Sequence, residues 1–426
     1  MHLLKAAPQI LYNVCFLALS IALTCDLFIQ GPPEKLFYLV SYVAIAFTLH
    51  HAWQFRHQKA ENYPLLWLML ALCLMAIARG IWGYCFKATT FTDIRENYVL
   101  GGKRYFLTAF TVFYFYKARH LLTRPILTAA IVIIVAGLCY TLWQGLHAHS
   151  LSDPRIKLTA DAATTASYLT VLVSMTCLYM VFQRFGITVW SLLGFFAIFS
   201  LNIYLIILTE TRAAVIITPL LYVLFFITYY TRIHKTLLYG CIIIFVVAIL
   251  GTPYAIWDRM RSIQTDVATY QINNDTSIGA RFSIWKSGWH SVKISFIGQS
   301  SDDRTTKARQ YIEQHEKHNP EAWKNVAYHL HNEMLEVFSL QGILGLGSLL
   351  AFYLSGFIYA FSRQARRSAG VMFIILPCFL FGLADTALIQ SNTSLLVCIS
   401  LSLMMSRLCS ATEKNAATPP PHSPIT

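Results

Sequence analysis

The chain has 426 residues, of which 56% are hydrophobic and only 12% are charged, and its formal net charge is +13. A soluble domain carries about 25% charged residues, so this composition excludes an ordinary soluble protein and indicates an integral membrane protein. The basic residues are scattered over short loops between apolar runs, which is typical of membrane topology and argues against a surface that follows nucleic acid.

Apolar runs long enough to cross a hydrocarbon core of about 30 Å recur along the whole chain. They predict an all-α polytopic membrane protein with about twelve transmembrane helices. The predicted spans are residues 10–29, 35–55, 64–84, 104–122, 125–146, 161–183, 188–208, 213–230, 236–252, 334–361, 369–388 and 391–407. Ten cysteines lie in or at the ends of these runs without CxxC spacing, so neither a zinc site nor a disulfide framework is predicted.

Four regions follow from these spans. Residues 1–252 carry transmembrane helices 1–9, residues 253–332 form a large polar loop with interfacial helices, and residues 333–408 carry helices 10–12. Residues 409–426 contain the run Pro419–Pro421 and are predicted to be a disordered tail.

The orientation follows from the loops after even-numbered spans, which hold basic residues and almost no acids. By the positive-inside rule these loops are cytoplasmic. They contain Arg56, Lys59, Lys117, Arg119, Arg124, Arg184, Arg232, Lys235, Arg363, Arg366 and Arg367. The large loop and the tail then lie on opposite sides, with the tail in the cytoplasm and the loop outside, away from ATP and nucleotide sugars.

The large loop is the only long segment that is not apolar, with ten basic and eight acidic residues, and it is where chemistry on a water-soluble group is expected. Within it, Phe282, Trp285 and Trp289 have helical spacing, which predicts an amphipathic helix lying along the membrane interface. Arg281 near its start is placed to bind a phosphate together with the amides of the helix N-terminus. The alternative is an exposed surface arginine.

Further cations stand at the outer rim. Arg212 lies at the junction of spans seven and eight, where its planar guanidinium matches phosphate oxygens at headgroup level; the alternative is an arginine paired with Glu210. Lys87 and Arg95 after span three, and Arg155 before span six, break the positive-inside trend. A bound anion explains all three, although each is also compatible with a solvated charge.

His329, His331 and Glu333 alternate at the exit of the large loop, a spacing that raises the question of a metal site. The segment is predicted to begin helix ten, where residues i and i+2 point apart, so no metal and no cofactor are predicted. A histidine in the first helical turn is held neutral by the positive end of the helix dipole, and neutral imidazole is the form that a general base requires.

Four motifs, in this order, resemble the O-antigen ligase family. They are Thr209–Ala213 (T-E-T-R-A), Ser277–Arg281 (S-I-G-A-R), His329–Glu333 (H-L-H-N-E) followed by Ser339–Gly342 (S-L-Q-G), and Gly382–Asp385 (G-L-A-D). The resemblance covers most of the chain from the third span onward. Two positions depart from it: Gln390-Ser391 stand where some members carry an arginine, and Arg79 stands where another member has an acid.

The resemblance implies a metal-independent, inverting glycosyltransferase of GT-C-type architecture in the inner membrane of a Gram-negative bacterium, with its active site facing the periplasm. The donor would be O-antigen polysaccharide on undecaprenyl pyrophosphate, and the acceptor a sugar hydroxyl of lipid A–core. Arg212 and Arg281 would hold the pyrophosphate, and His331 would activate the hydroxyl. Substrate-binding roles fall to Lys87, Arg95, Arg155, His329, Asn332 and Asp385. Membrane lipids are expected partners, and nucleic acid is not.

Two alternative functions remain open. An O-antigen polymerase of the same superfamily would share the outer loop and the arginines but use a second lipid-linked glycan as acceptor. A transporter of lipid-linked oligosaccharides would place charged residues near the bilayer midplane, whereas most charges here gather at one rim.

Overall fold

The computed structural model describes residues 2–54, 62–148, 155–160, 162–230, 261, 264–317, 319–362 and 369–409. Within them the chain is helical and contains no strand. The α-helices are α1 (His2–Cys25), α2 (Pro32–Gln54), α3 (Tyr63–Cys85), α4 (Thr92–Lys117), α5 (Arg124–Ala148), α6 (Ala163–Phe185), α7 (Val189–Thr209), α8 (Arg212–Tyr229), α9 (Ser277–Ser291), α10 (Ser301–His315), α11 (Pro320–Asn325), α12 (Glu333–Phe361), α13 (Met372–Gly382) and α14 (Ser391–Met404). Short 3-10 turns lie at Arg119–Leu121 and Ala369–Val371.

Eight of the described helices are long and apolar enough to cross a membrane, namely α1, α2, α3, α5, α6, α7, α8 and α12. The all-α polytopic membrane fold is therefore confirmed, but the predicted total of twelve spans is not. Helix α4 has 26 residues but carries six charged side chains, and α13 and α14 have only 11 and 14 residues. The predicted ninth span, 236–252, and the tail beyond residue 409 lie outside the described residues.

Helix α6 is the centre of the bundle. It is almost entirely buried and packs against α5, α7, α13 and α14. Three of its buried side chains, Ser167, Thr170 and Thr176, donate to carbonyls of the preceding turn, as Thr176 does to Leu172 O at 2.8 Å, so these three require no other partner. The first two turns of α6 lie at the same end of the bundle as the sequence motifs described above. We call this end of the bundle the site end.

Helices α9, α10 and α11 form a separate small unit on the site end. Each begins at a side-chain N-cap, supplied by Thr276, Ser300 and Asn319 respectively, which satisfies an otherwise unpaired backbone N–H. Their apolar faces enclose a core of their own. It consists of Ala280, Ile284, Ala308, Ile312, Ala322, Val326 and Leu330. The predicted helix around Phe282 and Trp285 is therefore present, with Trp289 exposed at its end.

Three contacts join this unit to the bundle, and the first two involve α3 and the loop before α4. The Asp302 carboxylate accepts hydrogen bonds from the backbone N–H groups of Thr89 at 2.7 Å and Phe91 at 2.9 Å, in the loop before α4. Trp82 Nε1 in α3 donates to Gln299 O at 2.8 Å. These bonds join segments more than 200 residues apart in sequence.

The third contact lies at a kink in α12. Gly342 has φ +61°, a conformation that side chains other than glycine rarely adopt. The turn at residues 295–298 inserts there, so that Ser295 O and Phe296 O accept from Ile343 N and Leu344 N at 3.1 and 2.9 Å. Gln299 N in turn donates to Leu340 O at 2.9 Å. Bonds from the segment between α9 and α10 thus satisfy the backbone groups that the kink in α12 leaves unpaired.

Candidate functional site

The site forms where α12 begins and α13 ends. The loop 326–332 brings His329 and His331 to this point, and the loop 383–390 brings Asp385. Neither loop is helical, and both are buried against the bundle on one side. His331 and Asp385 lie 54 positions apart in sequence, and their contact is one of those that join the two motifs.

His331 lies before α12 and has φ +49°, in the left-handed region. Asn332 is the N-cap, and its Oδ1 accepts from Leu335 N at 3.0 Å. The prediction that His331 occupies the first helical turn is therefore wrong. Helix α12 begins only after its N-cap, Asn332, so His331 lies outside it. Trp285 Nε1 donates to His331 O at 3.1 Å, which fixes this strained residue against α9.

His331 and Asp385 form a hydrogen-bonded pair. His331 Nδ1 lies 3.2 Å from Asp385 Oδ1. The carboxylate also accepts from Thr386 N at 2.9 Å and from Tyr168 OH at 3.2 Å. Because an ionised carboxylate only accepts, Nδ1 carries the proton and Nε2 keeps its lone pair. This is the arrangement of an imidazole that takes a proton from a bound hydroxyl group.

Asp385 is completely buried, in a loop outside the helices. Burial raises the pKa of its carboxyl group, but the hydrogen bond from His331 and the positive charge of nearby Arg281 outweigh burial and hold the pKa well below its usual range. Asp385 is therefore held as an anion, and its carboxylate orients the His331 ring.

His329 is packed against the pair. Its ring centre lies 4.2 Å from that of His331, and its Nδ1 is 3.6 Å from Asp385 Oδ1 and accepts from His331 N at 3.3 Å. Burial lowers its pKa to about 3, so the ring is neutral. Three possible metal-ligating atoms, from His329, His331 and Asp385, lie within 4.8 Å of one another. The argument from helical spacing against such a cluster was wrong, because the segment is not helical.

Arg281 lies in the first turns of α9 and is half-buried. Among the described residues, its guanidinium has no hydrogen-bond or ion-pair partner. It is close enough to Asp385 and His329 for its charge to lower the pKa of both. This partly buried cation beside the His331–Asp385 pair is therefore available for an anionic ligand.

Arg212 begins α8 at the same end of the bundle. Its Nη1 lies 3.5 Å from Asp266 Oδ2, and 23% of its side chain is exposed. The first two turns of α6 connect it to the histidine site. Thr211 Oγ1 donates to Ala163 O at 3.3 Å, and Tyr168, five residues further along α6, donates to Asp385.

The other predicted binding residues have more varied surroundings. Arg95 donates to Gly83 O and Phe86 O, with its shortest bond 2.7 Å, and so caps the carbonyls at the end of α3. Asn332 Nδ2 donates to Leu383 O at 3.1 Å, joining the two site loops. Arg155 Nε donates to Thr209 O at 3.1 Å. Lys87 is exposed in the loop after α3.

Sequence reasoning missed the residues that hold the two loops. Arg304 and Glu336 form an ion pair of 3.0 Å with both side chains completely buried. Arg304 Nη1 also donates to Val326 O at 2.8 Å, and Glu336 Oε2 accepts from Leu330 N at 2.8 Å. The signal was available: an acid at Glu336, in the apolar start of a membrane helix, requires a buried cation.

The second loop is held by Arg79 and Glu333. Glu333 Oε2 accepts from Leu388 N at 2.8 Å, and Arg79 Nη1 donates to Leu388 O at 3.2 Å. Arg79 also stacks on the rings of Tyr98 and Tyr105, with its guanidinium carbon 5.0 and 4.8 Å from their centres. The departure of Arg79 from the family pattern thus has a structural use, because it fixes the loop that carries Asp385.

Comparison with known proteins supports the motif argument. Residues 197–350 match the family model described as O-Antigen ligase. The chain is also 25% identical over 418 residues to a protein of Escherichia coli (strain K12) described as O-antigen ligase, covering 93% of this chain and 92% of that protein. The resemblance to O-antigen ligases is confirmed by both matches, and the matched segment runs from α7 through the outer unit into α12.

Proposed function

Since the chain carries an O-antigen ligase domain, we propose that it transfers O-antigen polysaccharide from undecaprenyl pyrophosphate to a sugar hydroxyl of lipid A–core. The reaction takes place on the periplasmic face of the inner membrane of a Gram-negative bacterium. The observation that carries this proposal is the pair formed by partly exposed His331 and buried Asp385, with Arg281 close enough for its charge to act on Asp385. A base next to a free guanidinium is what transfer from a phosphate-linked sugar to a hydroxyl requires.

In this reaction the acceptor oxygen attacks the anomeric carbon of the donor while its proton passes to His331 Nε2. The bond from that carbon to the pyrophosphate breaks, and the electron pair leaves with the lipid pyrophosphate. Attack opposite the leaving group inverts the anomeric configuration. Arg281 and Arg212 stabilise the charge that develops on the departing oxygen, and Asp385 stabilises the imidazolium. No step calls for a metal ion.

The proposal extends to the architecture and the remaining contacts. We assign twelve membrane spans, including residues 236–252, in a GT-C-type arrangement with the loop 253–332 in the periplasm. Exposed Lys87 and half-buried Arg155 are suited to bind anionic groups of the two lipids. For Arg95, Asn332 and His329 the hydrogen bonds described above favour an indirect role, in which they shape the site that the substrates enter.

The test is transfer of glycan between the two lipids by purified protein in detergent. Loss of one charge-stabilising donor costs about 3–4 kcal/mol in the barrier, so we expect Arg281→Ala to transfer at most about one hundredth as fast as the wild type. Lys293→Ala is the matched control, because Lys293 is an exposed cation of the same loop outside the proposed site. Equal rates for Arg281→Ala and Lys293→Ala would remove the proposed role of Arg281.

A strain without the protein separates the two glycosyltransferase functions. Loss of a ligase leaves long lipid-linked polymer without its lipopolysaccharide acceptor, whereas loss of a polymerase gives lipopolysaccharide with single repeats. Protein that transfers glycan in detergent, where no membrane separates two compartments, excludes a pure transporter.

A further inference from the structure

We infer that His329, His331 and Asp385 form a binding site for a divalent transition-metal ion of the Zn²⁺ class, and that the bound ion switches the enzyme off. The binding step follows from the geometry of the three side chains. The inhibitory effect rests on the proposed function, in which His331 is the base.

The distances between the ligand atoms fit such an ion. Ligands placed tetrahedrally at about 2.0–2.1 Å from zinc lie about 3.3 Å from one another. Asp385 Oδ1 is 3.2 Å from His331 Nδ1 and 3.6 Å from His329 Nδ1, and one ligand atom from each of the three residues lies within 4.8 Å of the others. The histidine side chains are 19–20% exposed, so an ion can enter and water can complete its coordination.

The surroundings also resemble those of metal ligands. Bound carboxylates and imidazoles are usually fixed by further hydrogen bonds. Here the Asp385 carboxylate is held by Tyr168 OH and Thr386 N, and Trp285 Nε1 holds the backbone carbonyl of His331. Two imidazole nitrogens favour Zn²⁺, Co²⁺, Ni²⁺ or Cu²⁺ over Mg²⁺ and Ca²⁺, which prefer oxygen ligands.

Inhibition follows from which nitrogen the ion takes. The ion binds the Nδ1 lone pair of His331, displacing the proton that Nδ1 shares with Asp385. In the neutral ring that proton then resides on Nε2. Nε2 becomes a donor and has no lone pair left to accept the proton of an acceptor hydroxyl. Transfer therefore stops for as long as the ion is bound, and a chelator restores it.

Binding is tested on the full-length protein in detergent, freed of affinity tags and treated with chelator. Titration with Co²⁺ is followed by its visible absorption, and we expect one equivalent with the intensity of a tetrahedral site. His329→Ala should abolish this absorption; His329→Gln, which retains an acceptor for His331 N, replaces it if the alanine variant unfolds. The control is His290→Ala/His315→Ala, which removes two exposed histidines that stack on Tyr311 and should leave binding unchanged.

Inhibition is tested in the transfer assay with Zn²⁺ and then EDTA. We expect Zn²⁺ to suppress wild-type transfer at least about tenfold and EDTA to reverse it, while His329→Gln keeps the rate that it shows without Zn²⁺. Absence of stoichiometric Co²⁺ binding, unchanged binding in both His329 variants, or a rise in transfer with Zn²⁺ would overturn the inference. A protein that binds Co²⁺ as expected but never transfers glycan would instead refute the proposed function, and the metal site would stand.

Discussion

Removing the cation from the buried Arg304–Glu336 pair is expected to destabilise the site more than any surface change. Both side chains are completely buried and 3.0 Å apart. In Arg304→Met the Glu336 carboxylate loses its charge partner, and an uncompensated buried charge costs about 3–5 kcal/mol. The Val326 carbonyl also loses its donor, which accounts for about 1–3 kcal/mol when the group stays buried.

A second substitution separates these two contributions. Glu336→Gln keeps an oxygen that can accept from Leu330 N but removes the charge. The double variant Arg304→Met/Glu336→Gln therefore retains only the loss at Val326, and we expect it to be about 2–3 kcal/mol more stable than Arg304→Met alone. A stabilising effect of a second mutation at a buried acid is hard to explain without the ion pair.

The measurement is thermal unfolding in detergent with a thiol-reactive fluorophore, because Cys15, Cys177, Cys378 and Cys398 are buried in the folded protein. Arg309→Met is the matched control on the same helix. Arg309 lies over the Trp323 ring at 3.7 Å, a contact of about 0.5–1 kcal/mol at an exposed site. The reasoning is refuted if Arg304→Met unfolds at the same temperature as Arg309→Met, or if adding Glu336→Gln lowers stability further.

Three further outcomes follow from the structure. Gly342→Ala should lower the unfolding temperature, because the φ of Gly342 is +61° and a Cβ there would overlap a backbone carbonyl. The control, Gly347→Ala, places its Cβ in open space and should leave the unfolding temperature unchanged. Thermal unfolding of the two variants tests this. Arg79→Met frees the Leu388 carbonyl, and we expect kcat to fall about 10–100-fold with little change in KM, partly recovered in Arg79→Lys. Tyr270, Ser283 and Lys286 overcome the effect of burial and hold the pKa of Glu316 below its ordinary value of 4.5. The stabilising contribution of the Glu316 carboxylate is present above pH 4.5 and lost as the pH falls through the lower, folded-state pKa. The unfolding temperature of Glu316→Gln should therefore depend less on pH between pH 3 and 7 than that of the wild type. An unchanged pH profile would contradict this assignment.

Much of the architecture could be predicted because membrane spans leave a local signal. Runs such as 125–146 and 188–208 are apolar over the length that a bilayer requires, and they coincide with α5 and α7. Helix α4 shows where that signal fails. One of its charged residues, Arg104, is buried in an ion pair with Glu34 at 3.0 Å, so tertiary packing compensates a charge that a hydropathy scale counts against a membrane span.

The sequence indicated several residues that the structure brings together, but it did not predict their geometry. The motifs identified His331, Arg281 and Asp385, since each stands in a recognisable pattern. The left-handed conformation of His331 could not be read from them, because it depends on Asn332 as N-cap and on Trp285 from another helix. Partners that are distant in sequence, such as Arg304 for Glu336, leave no periodicity in a single chain.

The bond from Gln299 N to Leu340 O closes residues 299–340 into a ring whose two ends are tied to each other at the kink of α12. The turns within residues 299–340 can therefore change in length or sequence while the helices of the bundle stay in place. His331 belongs to this ring, whereas Asp385 belongs to the bundle. If the proposed function holds, changes in this ring can alter which glycan the site accepts, while Asp385 stays anchored in the bundle.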